Sequence, residues 1–153
     1  MNLDYTVREA TIYDIPVLVA FQKNMARETE NIILDAAVVT TGIQKMFEDP
    51  AKGKYYVATH DGQVVGCLMT TYEWSDWRNG NVLWIQSVYI DQAHRGKNVY
   101  RKLYEHIQKM VLSDINLRGI RLYVDKSNKA AQAVYEKLGM NGEHYQVYEW
   151  MKP

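Results

Sequence analysis

A strand, a helix and a second strand follow one another between Val82 and Val124, and this run constrains the fold most. Val82 to Ile90 is almost continuously apolar, which is typical of a strand covered on both faces. From Arg95 to Val111 the apolar residues recur at helical spacing, and Ile120 to Val124 alternates like a strand. Strands joined through one helix normally lie parallel in the same sheet. The run therefore predicts a sheet that is covered by helices.

Antiparallel strands are predicted before this crossover. Tyr55 to His60 and Gln63 to Glu73 alternate like strands and flank Asp61-Gly62, which is a strong hairpin signal. The polar residues from Ser75 to Asn81 predict a loop to the next strand. The predicted sheet is therefore mixed and mostly antiparallel.

Capping residues mark the remaining predicted elements. Thr11 and Asp35 precede two helical patterns, and Gly139 closes a third. These further elements are a strand from Leu3 to Arg8, helices from about Tyr13 to Ala26, about Ala36 to Phe47 and Asn128 to Leu138, and a last strand from Tyr145 to Met151. The predicted order is β-α-α-β-β-β-α-β-α-β. It describes an α/β (α+β) protein with a central mixed sheet flanked by helices, in a single domain over residues 1–153.

Composition excludes several classes of partner and site. The 18 Lys and Arg balance 18 Asp and Glu, so no nucleic-acid partner is expected. The single cysteine, Cys67, excludes an internal disulfide, and we expect it to be a core residue. The histidines lack metal-ligand spacing, so no metal is expected. No signal peptide or membrane-length apolar run is seen, which predicts a cytoplasmic protein without a membrane partner.

The segment between the apolar strand and the helix has the features of an anion site. We place Arg95, Gly96 and Lys97 in the first turn of the predicted helix. Unpaired N–H groups, the positive end of the helix dipole and two cations favour a phosphate there, and Gly96 allows the backbone to approach it closely. The alternative is an ordinary polar connection with solvated Arg and Lys side chains.

Two segments resemble motifs of the GCN5-related N-acetyltransferase (GNAT) family. The residues Gln92-Ala93-His94-Arg95-Gly96-Lys97-Asn98-Val99 resemble its Q/R-x-x-R-G-x-G/A acyl-CoA signature, and Asn128 to Met140 is similar to its N-x-x-A-x-x-x-Y-x-x-x-G-F/M segment. The predicted element order is also that of the family. Asn98 departs from the usual Gly or Ala, although asparagine tolerates unusual backbone angles.

The resemblance implies the GNAT-like acyl-CoA N-acyltransferase fold and acetyl-CoA (coenzyme A) as cofactor. By analogy, the strand that ends at Ile90 contacts the pantetheine arm, and the loop after it surrounds the pyrophosphate. Asn128 is implied to contact the cofactor as well, and it also suits a plain helix N-cap. The implied cofactor-binding residues are Val88, Tyr89, Ile90, Arg95, Gly96, Lys97, Asn98, Val99, Tyr100 and Asn128.

The resemblance also implies a catalytic role for Tyr135. It matches the family tyrosine near the thioester sulfur, where a phenol protonates the departing thiolate. The alternative is that Tyr135 packs in the core, because it shares an apolar helix face with Val134 and Leu138.

A general base is harder to assign, because many family members use a carboxylate on the fourth strand, where this chain has Gln86 and Ser87. Glu28 and Glu30, after the first predicted helix, are the candidates that take the amine proton. A second acidic group comprises Glu73 and Asp76. The alternatives are that these carboxylates bind a cationic amine or are simply solvated.

The activity implied is transfer of the acetyl group of acetyl-CoA to a primary amine, of a small molecule, by direct attack in a ternary complex. The alternatives are a catalytically silent acyl-CoA-binding module and a protein or peptide lysine acetyltransferase. Tyr72, Trp74, Trp77 and Trp84 surround the second acidic group and suit either an acceptor pocket or a dimer surface. A homodimer is a further expectation.

Overall fold

The computed structural model describes residues 4–153, which form five strands and four α-helices. The chain divides into two compact units, of which the first ends at Arg121 and the second comprises Leu122–Pro153. The strands of the first unit are Thr6–Glu9 (β1), Lys54–His60 (β2), Gln63–Ser75 (β3), Gly80–Ile90 (β4) and Leu117–Arg121 (β5). Its helices are Ile15–Glu30 (α1), Ala36–Glu48 (α2) and Val99–Ser113 (α3), and the second unit contains Lys129–Lys137 (α4).

The strands form one sheet in the order β1-β2-β3-β4-β5. Neighbours from β1 to β4 are antiparallel, whereas β4 and β5 are parallel and connected through α3. The mixed sheet flanked by helices is therefore confirmed. The polar loop predicted from Ser75 to Asn81 is shorter than expected, because Ser75 pairs with Gly80 and Trp74 with Asn81.

The helices of the first unit cover both faces of the sheet. Leu18 and Phe21 of α1 and Ile43 of α2 form a buried cluster with Val57 and Cys67. The neighbouring Tyr56 points to the other face, where its ring packs against His106 of α3 at 5.5 Å between centroids. The sheet is thus the middle layer of the unit, and Cys67 is a core residue as predicted.

Local caps explain where several helices begin and end. The side chain of Asp35 accepts hydrogen bonds from the N–H groups of Ala37 and Val38, which confirms it as the cap of α2. In the second unit, Asn128 Oδ1 accepts from the Ala131 N–H at 3.0 Å, and Gly139 follows α4 at φ 86°. Both ends of α4 were therefore predictable from residue type.

Other predicted boundaries were wrong. The first predicted strand includes Leu3, which lies outside the described residues, and β1 runs from Thr6. The helix predicted from about Tyr13 begins at Ile15, after a 3-10 turn over Ile12–Asp14. The strand predicted from Ile120 begins at Leu117, because Asp114 Oδ1 accepts the Asn116 N–H at 2.8 Å in a tight turn after α3.

The strand predicted from Tyr145 to Met151 is absent. Tyr145, Tyr148 and Trp150 are exposed instead. The alternation of these residues suits a strand, but a strand also needs a hydrogen-bonded neighbour, which a local pattern cannot supply. Among the helices of residues 4–153, none is long and apolar enough to cross a bilayer.

One partly buried ion pair joins β1 to the start of α1. The guanidinium of Arg8 contacts the Asp14 carboxylate at 2.7 and 3.0 Å, and the Thr11 N–H donates to the same carboxylate at 2.7 Å. Asp14 is only 7% exposed. The Arg8 guanidinium, assisted by the Thr11 N–H, lowers the pKa of Asp14.

We predict that Asp14→Ala lowers the free energy of unfolding by about 2 kcal/mol, because it leaves these donors without their acceptor. Asp14→Asn should cost less, since an amide oxygen still accepts. Because folding lowers the pKa of Asp14, its ionised form stabilises the fold above about pH 4 and this contribution is lost as the pH falls below that value. Urea titrations of wild type and both variants at pH 7 and pH 3 test this. The prediction is contradicted if the free energy of unfolding of wild type exceeds that of Asp14→Asn by the same amount at both pH values.

Candidate active site

A β-bulge interrupts β4 near its end. Cys67 pairs with Tyr89 and Met69 pairs with Gln86, so that Ser87 and Val88 together lie opposite Leu68. Ser87 has φ 55°, a left-handed conformation that is uncommon for serine. The bulge changes the direction of the peptide groups where the predicted cofactor strand ends.

The Ser87 carbonyl is directed towards the core. It accepts from Gln22 Nε2 at 3.4 Å and from Cys67 Sγ at 3.5 Å, and both residues are buried. In a trans peptide the carbonyl and the following N–H point in opposite directions. The Val88 N–H is therefore directed away from Gln22 and from the Cys67 thiol.

The edge of β4 that faces away from β3 has a strand neighbour only at its start. The pairing with β5 runs from Asn81 to Trp84, and within the described residues no strand pairs with Ile85–Ile90 on that side. The predicted contacts Val88, Tyr89 and Ile90 all lie in this stretch. An unpaired strand edge can bind an extended chain through main-chain hydrogen bonds.

The loop after β4 differs from the helical turn that the sequence predicts. Arg95, Gly96 and Lys97 precede the helix, and α3 begins at Val99. Gly96 has φ 73° and Asn98 has φ 64°, so both are left-handed and cannot continue a helix. Asparagine adopts this conformation readily, which accounts for Asn98 in place of the family's Gly or Ala.

The surface of the loop is open at Gly96. A Cβ added there would meet no atom within 4 Å, so the backbone is accessible to a ligand. The loop leads directly into the N-terminus of α3, where N–H groups carry partial positive charge. Lys97 is held by its Nζ, which donates to the Ala93 carbonyl at 3.0 Å. Val99 is buried, and Tyr100 packs against the Tyr104 ring at 6.3 Å between centroids.

Glu28, near the end of α1, contacts the loop directly. Its Oε2 lies 2.8 Å from Arg95 Nη2, and its Oε1 accepts from Tyr89 OH at 3.1 Å and from Gln92 Nε2 at 2.9 Å. The Arg95 guanidinium, together with these donors, lowers the pKa of Glu28. Glu30 is exposed at the last position of α1. The structure thus brings Glu28, but not Glu30, into contact with the predicted cofactor residues.

The second acidic group is divided by the structure. Glu73 of β3 accepts from Trp84 Nε1 at 2.9 Å and forms an ion pair with Arg121 of β5. The Trp84 hydrogen bond and Arg121 lower the pKa of Glu73. Asp76 lies in the turn after β3, where its carboxylate accepts the Trp77 N–H at 2.9 Å, and the Trp77 side chain is 92% exposed.

Sequence reasoning did not identify two residues that support this region. Gln22 contacts the Ser87 carbonyl, and Tyr5 OH lies 2.9 Å from Nδ1 of His94 in the loop. Both contacts join residues far apart in the sequence, so no local pattern indicates them.

Burial raises the pKa of Cys67 to about 12, which leaves the thiol protonated and unreactive. Among residues 4–153 no group of three or more metal-ligating side chains could hold a metal ion.

In the second unit, Tyr135 and Asn128 both belong to α4 and its cap. The Tyr135 side chain is half-buried, and burial raises the pKa of its phenol. The hydroxyl is therefore protonated at neutral pH and able to donate a proton.

Known acetyltransferases resemble this chain in sequence and in fold. Residues 18–140 match the sequence profile of the acetyltransferase (GNAT) family. Over 93 residues the chain is 34% identical to the N-alpha-acetyltransferase of Saccharolobus solfataricus, a match that covers 55% of this chain and 54% of that protein. The chain therefore spans about half the length of this curated relative.

Solved structures are similar over nearly the whole chain. A crystal structure of a possible acetyltransferase from Clostridium difficile 630 is 44% identical, with a TM-score of 0.91, and the match covers 97% of this chain and 98% of that one. A predicted acetyltransferase with acetyl-CoA from Clostridium acetobutylicum is 17% identical, with a TM-score of 0.74 over 95% of this chain and 96% of that one, which shows the shared fold. The profile match and the close structural relative establish that the chain belongs to the GNAT family of acetyltransferases, whose acetyl donor is acetyl-CoA.

Proposed function

We propose that the protein transfers the acetyl group of acetyl-CoA to the primary amine of a small molecule, by direct attack in a ternary complex. The observation that carries this proposal is the unpaired edge of β4 from Ile85 to Ile90, which leads straight into the loop at Gly96. An extended arm with a phosphate group at one end matches this combination of a strand edge and a helix N-terminus.

The described residues fit acetyl-CoA, which supplies the activated acetyl group. Val88 and Ile90 lie along the free edge, where main-chain groups bind the pantetheine arm. Arg95 to Tyr100 surround the pyrophosphate, and the absence of a side chain at Gly96 permits close approach of the backbone. In the second unit, Asn128 is the further cofactor contact that we propose from the family motif.

The Val88 N–H is the group that we assign to the developing oxyanion. This N–H is directed away from Gln22 and Cys67, because the hydrogen bonds of both residues to the Ser87 carbonyl hold the peptide group between Ser87 and Val88. A donor fixed before the reaction stabilises new charge without reorganisation. Tyr135 then protonates the departing thiolate, and the proton that the attacking amine loses passes through solvent water and restores the phenol. Of the two base candidates, Glu30 is solvated, and the contacts of Glu28 fit another role that is developed below.

A second acceptor class is favoured by one finding. The curated relative is named an N-alpha-acetyltransferase, which points to the terminal amine of a peptide. A small-molecule amine and a peptide N-terminus present the same nucleophile, so the chain's own residues perform the same steps for both. Whether the acceptor is small or a peptide depends on the groove around it.

The test follows release of the free CoA thiol from acetyl-CoA with a panel of amines, amino acids, polyamines, N-terminal peptides and lysine peptides. We expect turnover with at least one small primary amine. Turnover with peptide N-termini alone supports the peptide N-terminus as acceptor. Turnover with lysine side chains alone supports a lysine acetyltransferase. Acetyl-CoA binding without acetylation of any acceptor identifies a silent acyl-CoA module and contradicts the proposal.

We predict that Gly96→Ala weakens acetyl-CoA binding and destabilises the fold by about 1 kcal/mol, because alanine is strained at this left-handed φ. Gly42→Ala is the matched control: Gly42 lies inside α2, where an added Cβ meets no atom within 4 Å. That change should stabilise the fold by roughly 0.5–1 kcal/mol without altering binding. Thermal unfolding and titration calorimetry measure both effects, and equal acetyl-CoA affinity of Gly96→Ala and wild type contradicts the assigned loop.

We predict that Tyr135→Phe lowers kcat by at least about tenfold and leaves the acetyl-CoA affinity nearly unchanged, because only proton donation to the thiolate is lost. Tyr13→Phe is the control, since Tyr13 is 87% exposed in the turn before α1. Single-turnover kinetics isolate the chemical step. An unchanged rate of that step in Tyr135→Phe removes the assignment of Tyr135 as the acid.

The homodimer and the cytoplasmic location stay predictions. The exposed Trp74 and Trp77 suit a dimer surface, and light scattering measures the oligomeric state directly.

A further inference from the structure

One carboxylate contacts three consecutive parts of the chain at the loop between β4 and α3. Glu28 of α1 contacts Tyr89 at the end of β4, Gln92 in the 3-10 turn that follows, and Arg95 in the loop itself. The contacts measure 3.1, 2.9 and 2.8 Å, respectively. No other acidic side chain in the described residues has such a set of partners in this loop.

Two further contacts, together with that of Glu28, fix the direction of the Arg95 side chain. Its Nε donates to the Ile90 carbonyl at 2.9 Å, and its guanidinium lies 5.3 Å from the centre of the Tyr89 ring. A guanidinium carries five N–H donors, so the bonds to Ile90 and Glu28 leave capacity for a phosphate. Glu28 thus orients Arg95 without exhausting its donors.

The contacts of Glu28 and Arg95 affect the order of the loop, which contains two left-handed residues, Gly96 and Asn98. Glycine gives the unbound backbone many accessible conformations, and ordering them on binding weakens affinity. A loop that is already held by a neighbouring helix avoids this loss. The ion pair is charge-assisted, and the two further hydrogen bonds to Glu28 fix its geometry, although both side chains remain accessible to solvent.

These contacts also make Glu28 a poor proton acceptor. Both of its oxygens already accept hydrogen bonds, and Arg95 stabilises the ionised form. A base that is to take a proton from an amine works best with a pKa near the working pH, whereas these partners lower the pKa of Glu28.

We propose that Glu28 is a positioning residue, which holds Arg95 and so keeps the loop from Asp91 to Asn98 in the conformation that receives the CoA pyrophosphate. The proposal rests on the proposed function for the location of the cofactor. It assigns to Glu28 an effect on the affinity for the cofactor, and not the role of a general base that takes the amine proton.

The experiment compares Glu28→Ala, Glu28→Gln, Arg95→Ala and the double variant Glu28→Ala/Arg95→Ala. We expect Glu28→Ala to raise the Kd for acetyl-CoA about tenfold, and Glu28→Gln to raise it less because the amide oxygen still accepts from Tyr89. At saturating acetyl-CoA, kcat and its pH profile should stay within about threefold of wild type for both. The double variant should bind no more weakly than Arg95→Ala, because Glu28 acts through Arg95.

Glu105→Ala is the matched control. Glu105 forms a comparable ion pair with Arg101, at 2.9 Å on the surface of α3, and it does not contact the loop between β4 and α3. This variant makes the same change in charge and also removes an Arg–Glu pair. We expect its acetyl-CoA affinity to equal that of wild type. Circular dichroism melts identify any variant that fails to fold, and Glu28→Gln then carries the comparison.

Two results overturn the proposal. A large loss of kcat in Glu28→Gln, with unchanged Kd and a lost acidic limb in the pH profile, assigns Glu28 as the base. Independent effects of Glu28→Ala and Arg95→Ala that multiply in the double variant show that Glu28 does not act through Arg95. Failure of the proposed function gives a different result from failure of the Glu28 proposal. In that case the wild-type protein itself binds no acetyl-CoA or acetylates no amine.

Discussion

Within residues 4–153, strand β4 is hydrogen-bonded to strands on both edges only over its first half, and the candidate site depends on this asymmetry. Up to Trp84 it lies between β3 and β5, as a central strand should. Beyond that point β3 is its single strand neighbour in the part of the chain that the structure describes, and a bulge at Ser87 and Val88 changes the direction of its peptide groups. A fully paired strand would have no free main-chain donor to offer a ligand. The same strand therefore contributes to the core at one end and to the site at the other.

Charge balance around the site follows a common pattern. The carboxylates of Glu28 and Glu73 are each paired with an arginine, Arg95 and Arg121 respectively, and hydrogen-bonded to an aromatic side chain, Tyr89 or Trp84. A chain with no net charge thus holds its acids near the sheet in matched pairs.

Much of the fold was predictable from the sequence because its signals are local. The turn at Asp61-Gly62, the cap at Asp35 and the helical spacing after Val99 each act within a few residues. The glycine and the two cations of the loop after β4 were evident from residue type and from the family motif, whereas their position before the helix was not. By contrast, the contacts of Glu28, Gln22 and Tyr5 join distant segments, and the last predicted strand lacked a partner that no local pattern reveals. The bulge at Ser87 is also a property of strand register, which residue type alone does not fix.

The contact between Tyr5 and His94 has a practical consequence. His94 is one of only four histidines in the chain, and its ring lies within 6 Å of the rings of both Tyr5 and His60. Aromatic ring currents spread the proton signals of such a residue away from those of solvated histidines. The imidazole of His94 therefore offers an intrinsic magnetic resonance signal inside the loop, with which a change of the loop on addition of a ligand can be sought without any label.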